Sequence, residues 1–167
     1  NSEALYGGAA GGGKSDALLM AALQYVDQPD YAALLLRRSY TDLALPGALM
    51  DRAKAWLMPT DAQWREATKT WTFPSGATLT FGYLEHTGDE YRYQSTEFQM
   101  IGFDELTQFD ENHYRYMFSR LRRRKDGSAP LRMRSASNPG GIGHEWVRSR
   151  FLDTTPDEAG RVFISAR

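Results

Sequence analysis

Apolar and polar positions along the chain follow two periods. Tyr31 to Arg37 (YAALLLR) and Phe98 to Phe103 (FQMIGF) are short, nearly continuous apolar runs. Such runs predict strands buried on both faces. Leu18, Leu19, Ala22, Leu23 and Val26 recur at three- and four-residue spacing, which predicts an amphipathic helix from Lys14 to Val26. Glu3 to Tyr6 reads as the end of a strand, and Gly7 to Gly13 breaks regular structure. Strand, loop, helix and strand in this order form a βαβ unit, with a right-handed crossover in a parallel sheet.

Further on, Thr41 opens a helix with Asp42 in its first turn. Pro46 is near enough to the start to be tolerated, so the helix is predicted to run towards Trp56, and Pro59 stops it. Thr70 to Phe73 and Thr78 to Phe81 flank the turn signal PSGA, predicting a hairpin over Trp71 to Tyr83. Asn112 to Arg124 reads as a basic helix, Leu131 to Ser135 as a strand, Gly143 to Phe151 as a helix and Val162 to Ile164 as a last strand. No internal repeat interrupts this order.

Composition narrows the picture. With 167 residues, 41% of them hydrophobic, the chain can build one cored domain, residues 1–167. A net charge of −1 gives no overall basic excess, so any nucleic-acid contact must come from a local patch. Cysteine is absent, which removes disulfides, thiolate metal sites and cysteine nucleophiles. No apolar run approaches the roughly 20 residues of a membrane span, and the first residues lack the order of a signal peptide. His86, His113 and His144 are too scattered to suggest a metal cluster.

The chemistry concentrates in three segments. The stretch LYGGAAGGGKSDAL contains Gly8, Ala9, Ala10, Gly11, Gly12, Gly13, Lys14 and Ser15, which satisfy G-x-x-x-x-G-K-[ST], with Asp16 next. Glycines permit backbone angles that turn successive N–H groups inward at a helix N-terminus, forming a cradle for phosphate. Lys14 would reach the β- and γ-phosphates and the Ser15 hydroxyl would coordinate Mg²⁺. Its position between an apolar strand and an amphipathic helix is the context that the pattern requires. In FQMIGFDE, Asp104 at the strand end would hold Mg²⁺, and Glu105 would orient and deprotonate an attacking water. In LRMRSASNPGG, a strand delivers Ser135, Ser137 and Asn138 to its carboxyl end, where they could sense the γ-phosphate. An arginine to stabilise charge on the transferred phosphoryl has several candidates: Arg37, Arg38, Arg92 and the run Arg120, Arg122, Arg123, Arg124. That run reads either as a solvated helix end or as a contact for DNA phosphates. The aromatic residues read as packing.

With these segments in view, the sequence resembles the ATPase domain of the large terminase subunit of tailed bacteriophages and prophages, from about Ala4 to about Leu152. The resemblance is carried by LYGGAAGGGKSDALL, FQMIGFDELTQF, the SRLRRR stretch and SASNPGGIGHEW, in the family's order. It implies a P-loop NTPase of the additional-strand catalytic-glutamate class, with a mostly parallel central sheet flanked by helices on both faces. It also implies an ATP-driven, Mg²⁺-dependent motor, working as a ring of subunits in the bacterial host cytoplasm. The motor moves double-stranded DNA through the portal protein into a procapsid, with a small terminase subunit as partner and no membrane. Carried over, Lys14 and Ser15 bind phosphate and metal, Asp104 is the metal acid, Glu105 the catalytic base, and Ser137 with Asn138 the coupling motif. The family often has an Arg-Gly pair about ten residues before the metal acid, as a finger for a neighbouring site. Here Gln94 and Ser95 stand there, with Arg92 close by. A nuclease domain and an upstream adenine-contacting segment, usual in the family, are not expected within this chain.

Three rival readings share parts of this pattern: a helicase-type DNA translocase, a small-molecule kinase, and a nucleotide-binding scaffold without turnover. Glu105 argues against the kinase, which must keep water out. The SNPGG turn argues against the helicase.

Overall fold

The computed structural model describes residues 2–8, 10–11, 13–153 and 161–166. Its strands are β1 (Glu3–Gly8), β2 (Ala32–Arg37), β3 (Gln63–Arg65), β4 (Thr70–Thr72), β5 (Thr78–Tyr83), β6 (Met100–Asp104), β7 (Arg132–Ser137) and β8 (Arg161–Ala166). They form one sheet in the order β3-β4-β5-β2-β6-β7-β1-β8. From β5 to β8 every neighbour is parallel, whereas β4 pairs antiparallel with β5 and β3 antiparallel with β4. The helices are α1 (Lys14–Leu23), α2 (Tyr40–Ala44), α3 (Leu49–Leu57), α4 (Glu111–Phe118) and α5 (His144–Phe151).

The central strands are apolar on both faces because both faces are covered. In β2, Ala33 and Leu35 pack with α1, α2 and α3 through Leu18, Leu19, Leu43 and Ala53. Ala32, Leu34 and Leu36 point the other way, into a layer built by Tyr114 and Met117 of α4 and Val147 and Phe151 of α5. This is the expected sheet with helices on both faces. The βαβ unit is also present, but β1 and β2 are not neighbours. The crossover spans β6 and β7, so β7 is the additional strand between the glycine-loop strand and the acidic strand.

Four expectations are corrected. The helix expected from Thr41 to Trp56 is two helices, broken at Pro46 and Gly47. Proline cannot donate a backbone bond, and Gly47 takes a φ of 74°, which only glycine adopts freely. The helix expected from Asn112 to Arg124 ends at Phe118. Beyond Phe118 only Leu121 still packs on the core, and the backbone groups of Arg120 and Arg122 pair instead with Phe98, at 3.1 and 3.0 Å. The basic run therefore lies on an extended segment at the amino end of β6, not on a helix end. The first helix stops at Leu23 rather than Val26, and Gln63–Arg65 adds an unforeseen edge strand to the hairpin, with Trp64 opposite Trp71.

One ionic cluster ties the glycine-loop strand to the helices beneath it. Glu3 in β1, 3% exposed, accepts from Tyr114 Oη at 2.7 Å and from Arg150 Nε and Nη2 at 2.7 and 3.1 Å. Removing one member of a buried pair strands the other charge. Glu3→Ala should therefore lower stability by about 3–5 kcal/mol in urea denaturation. The triple change Glu3→Leu, Tyr114→Phe, Arg150→Met, which removes these three polar groups together, should recover most of that loss.

Candidate active site

The carboxyl ends of β1, β7, β6 and β2 converge on one cavity of about 310 Å³, lined among others by Ala10, Gly11, Gly13, Lys14 and Ser15. Gly11 and Gly13 hold φ values of 81° and 67°, left-handed angles that let the loop fold back over the helix start. Gly13 caps α1 without a side chain, so the N–H groups of the first turn are left to a ligand. Lys14 is 7% exposed and lines the cavity. Gly8 closes β1 and lines a separate apolar cavity of about 110 Å³. Ala9 and Gly12, expected in the cradle, lie outside the described residues.

At the end of β6, Asp104 is 3% exposed and bonded on both oxygens. Ser15 Oγ donates to Oδ1 at 3.1 Å, and Arg37 Nη1 to Oδ2 at 2.8 Å. Register explains the second bond: Leu36 pairs with Phe103, so Arg37 lies beside Asp104 one step further. Burial is the largest influence on Asp104 and pushes its pKa up, Glu105 adds to this, and Arg37 opposes it. Two hard oxygen donors thus sit together, Ser15 lining the cavity and Asp104 bonded to it. Among the described residues no three His, Cys, Asp or Glu side chains meet. That donor set fits Mg²⁺, which takes one or two protein ligands and completes its shell with water and phosphate.

Glu105 is the next residue, and its backbone is left-handed at φ 57° and ψ 56°. For a non-glycine residue this costs about 1–2 kcal/mol. The kink lifts the carboxylate out of the strand line and into the cavity. There Asn138 Nδ2 donates to Oε1 at 3.2 Å, and Asn138 N lies 3.5 Å from Oε2. Asn138 Oδ1 is buried and unpartnered. Ser137 does not face the cavity. Its hydroxyl accepts from Thr107 N at 3.1 Å and pairs with Thr107 Oγ1 at 2.9 Å, so it acts on the site through the 3-10 turn Leu106–Gln108 that follows Glu105. Ser135 sits deeper in β7, opposite Leu5 and Phe103.

The segment after Asn138 lies flat against that same turn. Gly143 N donates to Thr107 O at 2.7 Å, and a Cβ on Gly141, itself at φ 89°, would come within 2.6 Å of that oxygen. His144 Nδ1 accepts from Gly140 N at 3.0 Å, and Trp146 Nε1 donates to Phe109 O at 2.9 Å. The NPGG-x-G-H-x-W pattern is therefore a clamp on residues 107–109.

The remaining arginines are dispersed. Arg37 belongs to the site through Asp104. Arg38 donates to Leu84 O. Arg92 stacks on Tyr83 at 4.3 Å, donates to Tyr83 O at 3.0 Å, and lies beside Asp89 rather than at the cavity. Arg120 donates to Gln94 O. Two residues of the site carry no sequence signal. Thr107 lies within FQMIGFDELTQF but takes no role from that pattern, and Arg52 of α3 reaches the cavity across a tertiary contact, pairing with Asp16 at 2.6 Å.

The chain matches a family model described as terminase large subunit, T4likevirus-type, N-terminal, over residues 5–156. Among solved structures, the large terminase of a thermophilic bacteriophage in one crystal form aligns with a TM-score of 0.75 at 16% identity, covering 98% of this chain and 40% of that one. The same terminase in complex with ADP aligns at 0.70 and 19% identity, over 99% of this chain and 40% of that one. In complex with ATP-gamma-S it aligns at 0.70 and 20% identity, over 99% and 39%. The likeness extends across the fold, and the chain spans about 40% of the length of those terminases. No curated protein sequence matches it.

The strain at Glu105 gives a test of whether the site is held against the preference of its backbone. Glu105→Gly should keep the fold and raise unfolding stability by up to about 1 kcal/mol in urea denaturation, because glycine adopts the left-handed angles freely. A loss of about 1 kcal/mol or more would show that the Asn138 bonds outweigh the strain.

Proposed function

The chain belongs to the T4likevirus-type large terminase family, N-terminal part, and from that premise we propose that it is the ATPase of a DNA-packaging motor. The observation that carries this reading is the meeting of Lys14, Ser15, Glu105 and Asn138, drawn from separate segments of the chain, around one cavity, with Asp104 bonded to Ser15 behind it. ATP would lay its phosphates in the loop from Ala10 to Ser15, with Lys14 neutralising the β- and γ-phosphates. Mg²⁺, held by Ser15 and Asp104, would supply charge neutralisation at those phosphates. Glu105 would orient a water and take its proton as the water oxygen bonds to the γ-phosphorus and the bond to the ADP oxygen breaks. Asn138, holding Glu105 and followed by the clamp on residues 107–109, is placed to pass the state of the phosphate to α4 and α5.

The wider role is translocation of double-stranded DNA through a portal into a procapsid, by a ring of such subunits acting with a small terminase subunit in the host cytoplasm. Among the described residues no helix is long and apolar enough to cross a membrane. Arg92, remote from its own cavity, would serve as a finger for a neighbouring subunit. DNA phosphates would meet the extended basic segment, where Arg122 and Arg123 are exposed and have no ion pair among the described residues. A helicase-type translocase shares this site, and hydrolysis measured with DNA and with portal-bearing capsids separates the two. Stimulation only when capsids are present supports packaging, and full stimulation by DNA alone favours the helicase.

Lys14→Ala should abolish ATP binding in calorimetry while circular dichroism stays unchanged. Glu105→Gln should bind ATP within a few-fold of the parent, yet turn over roughly 10²–10⁴ times more slowly. Exchanging Arg122 and Arg123 for Glu should weaken DNA binding and flatten log K against log salt by roughly 1 for each phosphate that is no longer neutralised. An unchanged slope would make the segment plain solvated surface.

A further inference from the structure

The loop that would hold the phosphates has only glycine and alanine from Gly7 to Gly13, so Lys14 is the only cation it supplies. One other cationic side chain lines the cavity, Arg52 of α3. It is brought there by the break that separates α2 from α3. Gly47, at φ 74°, donates its N–H to Asp51 Oδ2 at 2.8 Å and accepts from Arg52 Nε at 2.8 Å, which sets the direction of the guanidinium. One terminal nitrogen, Nη1, then reaches Asp16 Oδ1 at 2.6 Å. The other terminal nitrogen has no partner among the described residues, and the side chain stays 43% exposed at the cavity mouth.

We propose that Arg52 is a phosphate-contacting residue supplied by the chain to its own site, parked on Asp16 until the γ-phosphate of a nucleoside triphosphate draws it across the cavity. A planar guanidinium with free N–H groups matches phosphate oxygens in a way that Lys14, a point charge, does not. Asp16 keeps the guanidinium oriented while the cavity lacks an anion. A phosphate with higher charge displaces that single, half-exposed contact, which is worth little by itself. Because Glu105 and Asn138 line the same cavity, the contact falls at the end of the polyphosphate where the chemistry occurs.

This inference rests on the nucleotide reading, and its test separates the two. Calorimetry of the purified chain with ATPγS and with ADP, each with Mg²⁺, is compared for the parent, Arg52→Ala, Arg52→Lys and Asp16→Asn, with melting temperatures as a folding control. Arg52→Ala should weaken ATPγS binding roughly tenfold or more and ADP binding less than about twofold, with Arg52→Lys between the parent and Ala. Asp16→Asn should tighten ATPγS binding, since it removes the competitor. If the Arg52–Asp16 pair merely braces α1 against α3, Arg52→Ala and Asp16→Asn lower the melting temperature and leave the ratio of ATPγS to ADP affinity as in the parent. That result overturns the proposal, as does equal weakening of both nucleotides. A parent chain that binds neither nucleotide overturns the nucleotide reading, and this inference with it.

Discussion

The buried carboxylate of Asp104 is the constraint on which the rest of the site depends. A carboxylate sunk at the end of a buried strand carries a desolvation cost of several kcal/mol unless its oxygens are bonded. Here Ser15 and Arg37 take one oxygen each. Ser15 can do so only if the first turn of α1 packs tightly on β6, and Gly102 makes that approach possible. A Cβ there would lie 2.4 Å from Leu35 Cδ2 and 3.0 Å from Leu18 Cδ1. Arg37 can do so only because β2 is the neighbour of β6 in a parallel register. Burial still pushes the Asp104 pKa upward, with Arg37 as the principal opposing charge.

The second condition is the insertion of β7 between β1 and β6. Register sets Gly7 against Ser137 and Asp104 against Ala136, so the strand delivers Ser137 and Asn138 level with the glycine loop and the acids. The two polar residues then divide the work. Ser137, buried, holds the backbone of Thr107, while Asn138, at the cavity, holds the carboxylate of Glu105. Between them they fix both sides of the left-handed kink at Glu105. Strain of this kind survives where neighbours over-determine it, and here a turn, a strand end and the glycine clamp all do so.

Much of this is readable from residue order, and the failures have physical causes. The glycine loop, the Asp104–Glu105 pair and the SNPGG turn are local patterns whose chemistry depends on neighbouring residues, so spacing is enough to find them. Strands β2 and β6 are readable because burial on both faces leaves no polar position before their last residues, Arg37 and Asp104. The Pro46–Gly47 break escapes because Pro46 can be tolerated in a first turn, and only the conformation of Gly47 decides against it. The helix end at Phe118 escapes because Arg120 and Arg122 give their backbone bonds to Phe98, a tertiary choice that no local propensity encodes. Arg52 and Thr107 are not visible for the same reason. Their partners, Asp16 and Ser137, are distant along the chain and meet only once the sheet order is known.

That sheet order also separates the two charged regions of the molecule. The cavity lies at the carboxyl ends of the parallel strands, and the exposed run Arg122 to Lys125 lies at their amino ends. β6 is the element common to both. At its start, Phe98 exchanges backbone bonds with Arg120 and Arg122, while the Gln99 side chain accepts from Ala32 N at 2.8 Å and donates to Arg122 O at 2.9 Å. At its end stand Asp104 and Glu105. The strand spans roughly 17 Å at the usual rise of about 3.3 Å per residue. It is packed into both cores. Through it the acids at one end are joined to Gln99 and the basic segment at the other. The sheet that builds the candidate site thus joins it, through one buried strand, to an exposed cationic surface.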